Sequence, residues 1–423
     1  MKGSAAFDPL LLPAAAAAAP AVPARTFSTT KAVFLAVGTL LALAYLAHTE
    51  MLAGLFRSSW KGDGASQLCG GKHEFEYRPE PGHWDSAPQP SNVEVALTGL
   101  ASGEVVVVAT SEAKIATTSV VFYLSDLKLA EKITIKQEPN QDGRYKLVID
   151  TPKVLRGQEC IRADVRLALP AQQEPKISAA VSADNARVTL QDMRGGVMFN
   201  TVDASSKNGR VEARGLDAQG AVHISSYNGA VQAAGITAAT FTIESKNGRV
   251  VVSDSTVSDA AGFIARSANG GIELRHLHVT TLDTNTANGR TELTDVRVSS
   301  ADGATVVGHN GAISGDIALA DPAAALSATT STGRVELVVN GNPKTIAASS
   351  KTGRVSLRIA NDKFSGAFDA RSKLGGVEVS GSDVHFTGDA RSRSVKTGWR
   401  GAEDGGQSVT AETVTGRVSL QFA

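Results

Sequence analysis

The most regular feature of the chain is a polar–glycine motif that recurs from about residue 206 onward. Each copy reads Ser/Thr-x-Asn/Thr-Gly, followed by an arginine or a small residue and then an apolar residue. Successive motif glycines from Gly209 to Gly375 are 20, 19, 22, 19, 22, 22, 20 and 22 residues apart, and Gly416 marks a later copy. Asn185-Ala186-Arg187-Val188 resembles a first copy without its glycine. So constant an interval predicts a structural repeat.

Apolar and polar residues alternate on both sides of each motif. Val250 and Val252 follow one turn, and Phe241 and Ile243 precede it. Period-2 alternation is typical of a strand with one buried face. The intervening residues, including Glu212, Gln232, Glu273, Glu292, Glu336 and Glu378, are therefore expected to face water. A further apolar position such as Ile236 predicts a short middle leg in each repeat.

The turn between the two strands decides the architecture. Asn-Gly accepts a positive φ at little cost, so it is expected to reverse the chain sharply. A hairpin array would need a matching turn about every ten residues, whereas this motif occurs once per 20-odd residues. The pattern therefore favours an all-β parallel β-solenoid (β-helix) with about 20–22 residues per coil. A hairpin sandwich and a propeller remain the alternatives.

Composition divides the rest of the chain. Residues 1–30 are predicted to be a disordered Ala/Pro-rich tail, 31–56 a transmembrane signal-anchor helix, and 57–91 a linker. Residues 92–180 are expected to form an N-terminal β region of irregular first coils or a cap. Residues 181–423 then form the repetitive solenoid.

The apolar segment sets the predicted location. Residues 32–47 carry no charge and would span about 24 Å as a helix, and the stretch to Phe56 about 37 Å, against a bilayer core of about 30 Å. A cleaved signal peptide and a mitochondrial presequence are the alternatives. The flanking charges do not favour either orientation. The Ser/Thr/Gly-rich β composition leads us to expect single-pass anchoring with a lumenal or extracellular C-terminal part.

Little in the sequence indicates catalysis or a cofactor. The net charge is zero, with 42 basic and 42 acidic residues, so no nucleic-acid partner is expected. No metalloprotease, hydrolase or phosphate-loop motif occurs. His276 and His278, or Cys69 with His73 and His83, offer too few ligands for a convincing metal site. We therefore predict no catalytic, cofactor or metal site.

The chain has two cysteines, Cys69 and Cys160. Both follow the apolar segment and would lie on the same side of a membrane. In an oxidising compartment they could form a disulfide; two unrelated thiols are the alternative.

Stacked coils would also align equivalent side chains in columns. One predicted column follows the turn glycine and holds arginines on one edge of the rod: Arg210, Arg249, Arg290, Arg334, Arg354 and Arg417. A solvated structural ladder is the plainer interpretation, with the neighbouring glutamates offsetting the repulsion. The functional interpretation is a stripe that binds an anionic glycan.

The turn-and-strand copies resemble the adhesin-like domain family, repetitive β-solenoid proteins of bacteria and fungi. The matching feature is Ser-x-Asn/Thr-Gly-Arg/Gly-Val followed by apolar alternation, over about residues 92–423. The segment from Cys160 to Pro170 and the N-terminal apolar segment look like those of the fungal single-pass membrane members. The resemblance implies a solenoid fold and supplies no catalytic residues. The departures at Leu374-Gly375 and around Trp399 leave the register of the last coils open.

These observations favour a non-enzymatic, membrane-anchored, adhesin-like surface or structural protein. A polysaccharide- or anionic-glycan-binding module that uses the arginine column is the alternative, and a solenoid polysaccharide-processing enzyme is a third. The chain also stops inside the predicted strand 417–423, so the last coil is expected to be uncapped. Open edges pair with other chains, which predicts end-to-end self-association.

Overall fold

A computed structural model describes residues 73–77, 90–110, 116–138, 143–191, 193–260 and 262–423. These residues are almost entirely strand, with one 3-10 helix, Leu127–Lys132. The strands are β1 His73–Tyr77, β2 Asn92–Thr98, β3 Ser102–Thr110, β4 Thr117–Leu124, β5 Thr134–Glu138, β6 Arg144–Asp150, β7 Ile161–Pro170, β8 Gln172–Ala183, β9 Arg187–Gln191, β10 Val197–Ser206, β11 Val211–Ala218, β12 Ala221–Ser226, β13 Val231–Ala238, β14 Thr240–Ser245, β15 Val250–Val257, β16 Phe263–Ser267, β17 Ile272–Val279, β18 Leu282–Thr286, β19 Thr291–Val298, β20 Ala304–Gly308, β21 Ile313–Leu319, β22 Ala325–Thr332, β23 Val335–Gly341, β24 Thr345–Thr352, β25 Val355–Ile359, β26 Gly366–Leu374, β27 Val377–Ser380, β28 Val384–Phe386, β29 Val395–Arg400, β30 Gln407–Thr415 and β31 Val418–Phe422.

The strands form two long parallel ladders. Ladder A holds the strands before each turn, in the order β6-β2-β8-β10-β12-β14-β16-β18-β20-β22-β24-β30-β26. Ladder B holds the strands after each turn, in the order β7-β3-β9-β11-β13-β15-β17-β19-β21-β23-β25-β31-β27. Each turn therefore connects two different ladders and does not join antiparallel neighbours. The predicted parallel solenoid is confirmed, and the hairpin array is excluded.

The core is a column of small apolar side chains between the two ladders. Val250 pairs with Val231 on one side and Ile272 on the other, and all three are buried. Phe241 of ladder A is also buried and meets Phe263 of the next coil edge to face, with ring centroids 5.3 Å apart. The alternation seen in the sequence is therefore the inward half of each strand.

Five consecutive strands of ladder B, β11, β13, β15, β17 and β19, each bend once, which creates the third leg of these coils. The bends lie at equivalent positions on successive coils, and the backbone φ of the residue at the bend is positive in each. The residues are Gly215 (58°), Gly235 (65°), Asp254 (52°), His276 (48°) and Asp295 (50°). Asp tolerates this left-handed conformation better than most residues, and glycine adopts it freely. Ile236 follows the bend and is fully buried, so the predicted middle leg is confirmed.

The N-terminal end of the solenoid departs from chain order. Strands β2 and β3 come first, yet they lie between the coil of β6 and β7 and the coil of β8 and β9. Antiparallel strands then close the end: β5 pairs with β6, β4 pairs with β7, and β1 pairs with β4. Strand β1 lies within the segment 57–91 that the sequence suggested was a linker.

The C-terminal end repeats this arrangement and corrects one expectation. Strands β30 and β31 lie between the coil of β24 and β25 and the coil of β26 and β27. The last strand is therefore paired on both sides, and the expectation of an uncapped coil at 417–423 was wrong. The predicted self-association loses that basis. Strand β29 runs antiparallel to β26 and β28 and covers this end.

The predicted tail, membrane helix and most of the linker lie outside the described residues. Within the part of the chain that is described, no helix is long and apolar enough to cross a bilayer. The signal-anchor helix at 31–56 therefore stays a prediction.

Candidate functional site

The turn edge, meaning the row of motif turns that joins ladder A to ladder B, is built from one repeated set of hydrogen bonds. In the coil that contains Gly248, Ser245 Oγ accepts from the Gly248 N–H at 2.8 Å and donates to the Gly229 carbonyl one coil earlier at 3.0 Å. A hydroxyl three residues before the motif glycine also donates to the glycine position of the neighbouring coil from Ser206, Ser226, Ser267, Thr286, Thr330, Ser350, Ser372 and Thr413. These buried hydroxyls therefore hydrogen-bond the turn of one coil to the turn of the adjacent coil.

The motif glycines are required for a reason that differs from the one the sequence suggested. In the Asn-Gly copies the glycine is not in the left-handed region. A Cβ on Gly248 would lie 2.0 Å from the Gly229 carbonyl oxygen, and one on Gly270 would lie 2.0 Å from the Gly248 oxygen. Only a residue without a side chain allows adjacent turns to stack this closely. In the Thr-Gly copies φ is positive as well, for example +149° at Gly333.

A continuous asparagine ladder runs along the outside of the turn edge. Each side-chain amide donates to the side-chain oxygen of the asparagine one coil earlier, at 2.5–2.8 Å. The ladder comprises Asn185, Asn208, Asn228, Asn247, Asn269, Asn288 and Asn310. Asn185 belongs to the copy that lacks its glycine, which confirms that copy as the first turn. The constant Asn position was visible in the sequence, but its hydrogen-bonding role was not predicted.

The predicted arginine column exists along the same edge. Backbone pairing places Arg210, Ala230, Arg249, Gly271, Arg290, Ala312, Arg334, Arg354, Arg417 and Gly376 on successive coils. The first four arginines are thus separated by a small residue, and the last three occupy adjacent coils. Neighbouring coils are about 4.8 Å apart, so positive charge is densest at the C-terminal end.

Acidic neighbours neutralise most of the column's N-terminal part. Arg210 Nε lies 2.8 Å from Glu212, and Arg290 lies 3.7 Å from Glu292. Glu273 corrects the expectation that this whole position faces water, because its side chain is only 4% exposed and contacts both Arg249 and Arg275. A carboxylate this well covered is stabilised by its two guanidinium partners, and it has little freedom to bind anything else.

The C-terminal part of the column is less neutralised. Arg334 lies 3.2 Å from Glu336. Arg354 and Arg417 are exposed, and within the described ranges neither forms an ion pair, because serines replace the glutamate two residues later. Arg358, on the same outward face of β25, likewise has no ion pair there. The structure therefore concentrates free positive charge at this end.

A groove lies on the other side of the same C-terminal turns, on the outward face of ladder A. Its volume is about 700 Å³. It crosses strands β20, β22, β24, β30 and β26 and ends against Val395 of β29. Its charged lining consists of Lys351, Arg371 and Lys373, with Glu412 and His309. A hydrogen bond and the charge of Asp369 raise the pKa of the Arg371 guanidinium, which stays cationic. Sequence periodicity does not reveal this groove, because β30 reaches it out of chain order.

An aromatic pair extends the same outward face beyond the groove. Trp399 of β29 stacks on His385 of β28, with ring centroids 5.5 Å apart and planes 20° from parallel. His385 Nε2 is also 3.0 Å from Asp383. Both rings belong to the antiparallel hairpin that interrupts the repeat, which is why periodicity could not place them.

The remaining sequence candidates do not converge in the described residues. His276 lies at a bend and its Nδ1 is 3.2 Å from Asp254, and the described residues contain no group of three metal-ligating side chains. Cys160 is disulfide-bonded. Its predicted partner, Cys69, lies outside the described residues, as does His83, so the Cys69–Cys160 pairing stays a prediction.

The family model described as Toastrack DUF4097 matches residues 127–421. Because this match covers more than half of the sequence, the chain belongs to that family. None of the curated proteins matches the sequence.

Three solved structures are similar at low sequence identity. A proposed adhesin from Bacteroides fragilis NCTC 9343 is 13% identical over 64% of this chain and 96% of its own, with a TM-score of 0.29. A proposed cell adhesion protein from Clostridium sporogenes ATCC 15579 is 11% identical over 83% and 99%, with a TM-score of 0.19. A proposed adhesin from Parabacteroides distasonis ATCC 8503 is 10% identical over 83% and 97%, with a TM-score of 0.25. TM-scores this low carry no argument about function.

Proposed function

We propose that this member of the Toastrack DUF4097 family is a non-enzymatic, adhesin-like scaffold protein. The segment 31–56 holds it to a membrane, and the solenoid is displayed on the lumenal or extracellular side. The observation that carries the proposal is the turn edge. One hydrogen-bond set repeats from coil to coil, so equivalent side chains are presented at a fixed interval of about 4.8 Å. Such periodic display suits an extended contact with a partner better than a single reaction centre.

The disulfide at Cys160 supports the proposed side of the membrane. Disulfides form and persist in oxidising compartments, and Cys160 is bonded. We infer that the solenoid faces such a compartment, with Cys69 as the bonding partner.

The experiment is a localisation test on the full chain with a C-terminal tag. If the tag is extracellular, we expect protease added outside intact cells to digest it. If the tag is lumenal, we expect it to resist protease added to sealed vesicles until the vesicles are opened and the protease reaches the lumen. We also expect deletion of residues 31–56 to release the protein from the carbonate-washed membrane fraction. A tag digested only from the cytosolic side would contradict the proposed topology.

Adhesion is tested separately from localisation. Cells that display the full chain should adhere to a glycan-coated or cell-coated surface more strongly than cells that display a variant that ends at residue 91 and therefore lacks the solenoid. Equal adhesion of the two would contradict the adhesin-like role while leaving the topology result intact.

The arginine column supports a second candidate function, binding of an anionic glycan at the turn edge. The specific observation is that Arg334, Arg354 and Arg417 occupy three adjacent coils. Charge reversal at Arg354 and Arg417 is the sharper test, because Arg249 is held by Glu273. Unchanged retention on an anionic glycan after this double reversal would remove the column as a binding site.

A further inference from the structure

The outward groove of ladder A has the charge of an anion-binding site. Lys351 and Lys373 lie two coils apart on its turn side, separated by Val414 of β30. Neither lysine forms an ion pair with any residue the structure describes, whereas Arg371 is held by Asp369. Among the described residues of the lining Glu412 is the one carboxylate, so three basic side chains face one acidic side chain. Two ammonium groups are thus left available for a ligand.

The shape of the groove indicates an elongated ligand. It crosses five adjacent strands, and four intervals of about 4.8 Å give a length of about 19 Å. On β22 and β24, beside and beyond Lys351, the lining is mainly hydroxyl-bearing and includes Thr329, Ser331 and Ser349. Hydroxyls both donate and accept hydrogen bonds, which suits a chain of sugar units along the groove floor.

The lining argues against a nucleic acid. Among the residues that the structure describes, His309 carries the only aromatic ring in the lining, whereas single-stranded nucleic acids are typically bound by stacking on several aromatic side chains. The net charge of the chain is also zero, so the wider electrostatic attraction that nucleic-acid binding needs is missing.

We propose that this groove binds an acidic oligosaccharide, with Lys351 and Lys373 pairing with its carboxylate or sulfate groups and the hydroxyl-rich floor contacting its sugar hydroxyls. The site goes beyond the scaffold role and does not depend on it, because binding is a property of the purified chain. It is also distinct from the arginine column, which projects from the opposite side of the same turns. The groove exists only because β30 is inserted between β24 and β26, since Glu412, Thr413 and Val414 form its middle.

The test measures binding of defined oligosaccharides to the purified full chain by titration calorimetry. The probes are a sulfated uronate oligomer, an unsulfated polyuronate oligomer of the same length, a neutral glucan oligomer and a single-stranded oligonucleotide. We expect the acidic oligomers to bind, more weakly as salt is raised, and the neutral oligomer not to bind. Stronger binding of the oligonucleotide, equal binding of the neutral oligomer, or no binding of either acidic oligomer would overturn the proposal.

Matched variants localise the site. Lys351→Ala with Lys373→Ala should weaken binding by at least about tenfold. Arg354→Ala with Arg417→Ala removes the same charge from the rival arginine column. Lys344→Ala with Lys363→Ala, two exposed lysines outside both surfaces, is the control and should change affinity by less than about threefold. Equal losses in all three pairs would show general attraction, and a loss confined to the arginine pair would assign binding to the column. Either result overturns the groove.

A third variant separates shape from charge. Ser349→Trp fills the groove floor without changing any charge and should also abolish binding. Ser356→Trp, on the outward face of β25, is its control. All variants are compared after their circular dichroism matches that of the parent chain. Undiminished binding in Ser349→Trp would show that the groove is not the site.

Discussion

One of the Asn-Gly coils lacks the hydroxyl that the other Asn-Gly coils use, and this gap provides a quantitative test of the turn chemistry. In the copy built around Gly311, the position three residues earlier is Gly308. In the other Asn-Gly copies that position is a serine or threonine that accepts from its motif glycine and donates to the neighbouring coil, as Ser245 does. We predict that Gly308→Ser restores both hydrogen bonds and stabilises the solenoid.

The site has room for the change. A Cβ on Gly308 would lie 3.5 Å from Thr330 Oγ1 and 3.6 Å from the Gly311 oxygen, which are ordinary contacts, and φ there is not left-handed. Each new hydrogen bond is worth about 0.5–1.5 kcal/mol net. Replacing a strand glycine adds about 0.5–1 kcal/mol. We therefore expect about 2 kcal/mol of local stabilisation.

Hydrogen exchange is the suitable assay, because a solenoid can open locally without unfolding as a whole. A gain of about 2 kcal/mol corresponds to about 30-fold slower exchange of the amides in strands β20 and β21. Gly308→Ala is the control, since it removes the glycine flexibility without supplying a hydroxyl. If the serine variant exchanges no more slowly than the alanine variant, the hydroxyl is not what holds these turns together.

The remaining predictions concern other parts of the rod. Gly248→Ala should lower the free energy of unfolding, measured by urea denaturation, by at least about 3 kcal/mol, because the added Cβ would overlap a backbone carbonyl. Gly376→Ala is the control: no atom lies within 4 Å of its added Cβ, so the free energy of unfolding should change by less than about 0.5 kcal/mol. A hydrogen bond to Asp203 raises the pKa of His223. The protonated imidazole therefore stabilises the fold fully below about pH 6.5, and this stabilisation is lost as pH rises through the pKa of the folded state. His223→Gln should lower the thermal midpoint at pH 5.5 and leave it unchanged at pH 8.5, and equal losses at both pH values would refute this assignment. Deleting residues 407–423 should abolish amide protection throughout β26 and β29, because the deleted strands connect these to the rest of ladder A; retained protection there would contradict the inserted topology.

The sequence was sufficient to predict the solenoid because its signal is local and repeated. Alternation around Val250 and Val252 identified the inward face, and the constant glycine interval identified one turn per coil. The physical role of the glycine was only half predicted. No side chain fits at the motif glycine because the carbonyl oxygen of the neighbouring coil lies too close. That contact joins residues about 20 positions apart, so the turn propensity of a short sequence cannot predict it.

The ends were not predictable in the same way. Periodicity gives the length of a coil but not the order in which coils stack. Strand β31 follows β27 in sequence with a hairpin between them, yet it lies between β27 and β25. Similarly, Arg354 and Arg417 are neighbours only because of that insertion. The densest part of the arginine column and the whole outward groove therefore depend on a topological choice that no short-range pattern records.

The two inserted coils place β2, β3, β30 and β31 one coil inside the tips of the solenoid. A strand at the tip of a solenoid has one unpaired edge, at which it can fray or pair with another chain. Here β31 is hydrogen-bonded to β25 and β27, and the Arg400 side chain donates to the Ala423 carbonyl at 2.6 Å. Fraying of β31 would disrupt two strand pairs at once. The exposed tip is instead the antiparallel hairpin of β28 and β29, which has fewer partners, so limited proteolysis should begin in that hairpin before it removes β31.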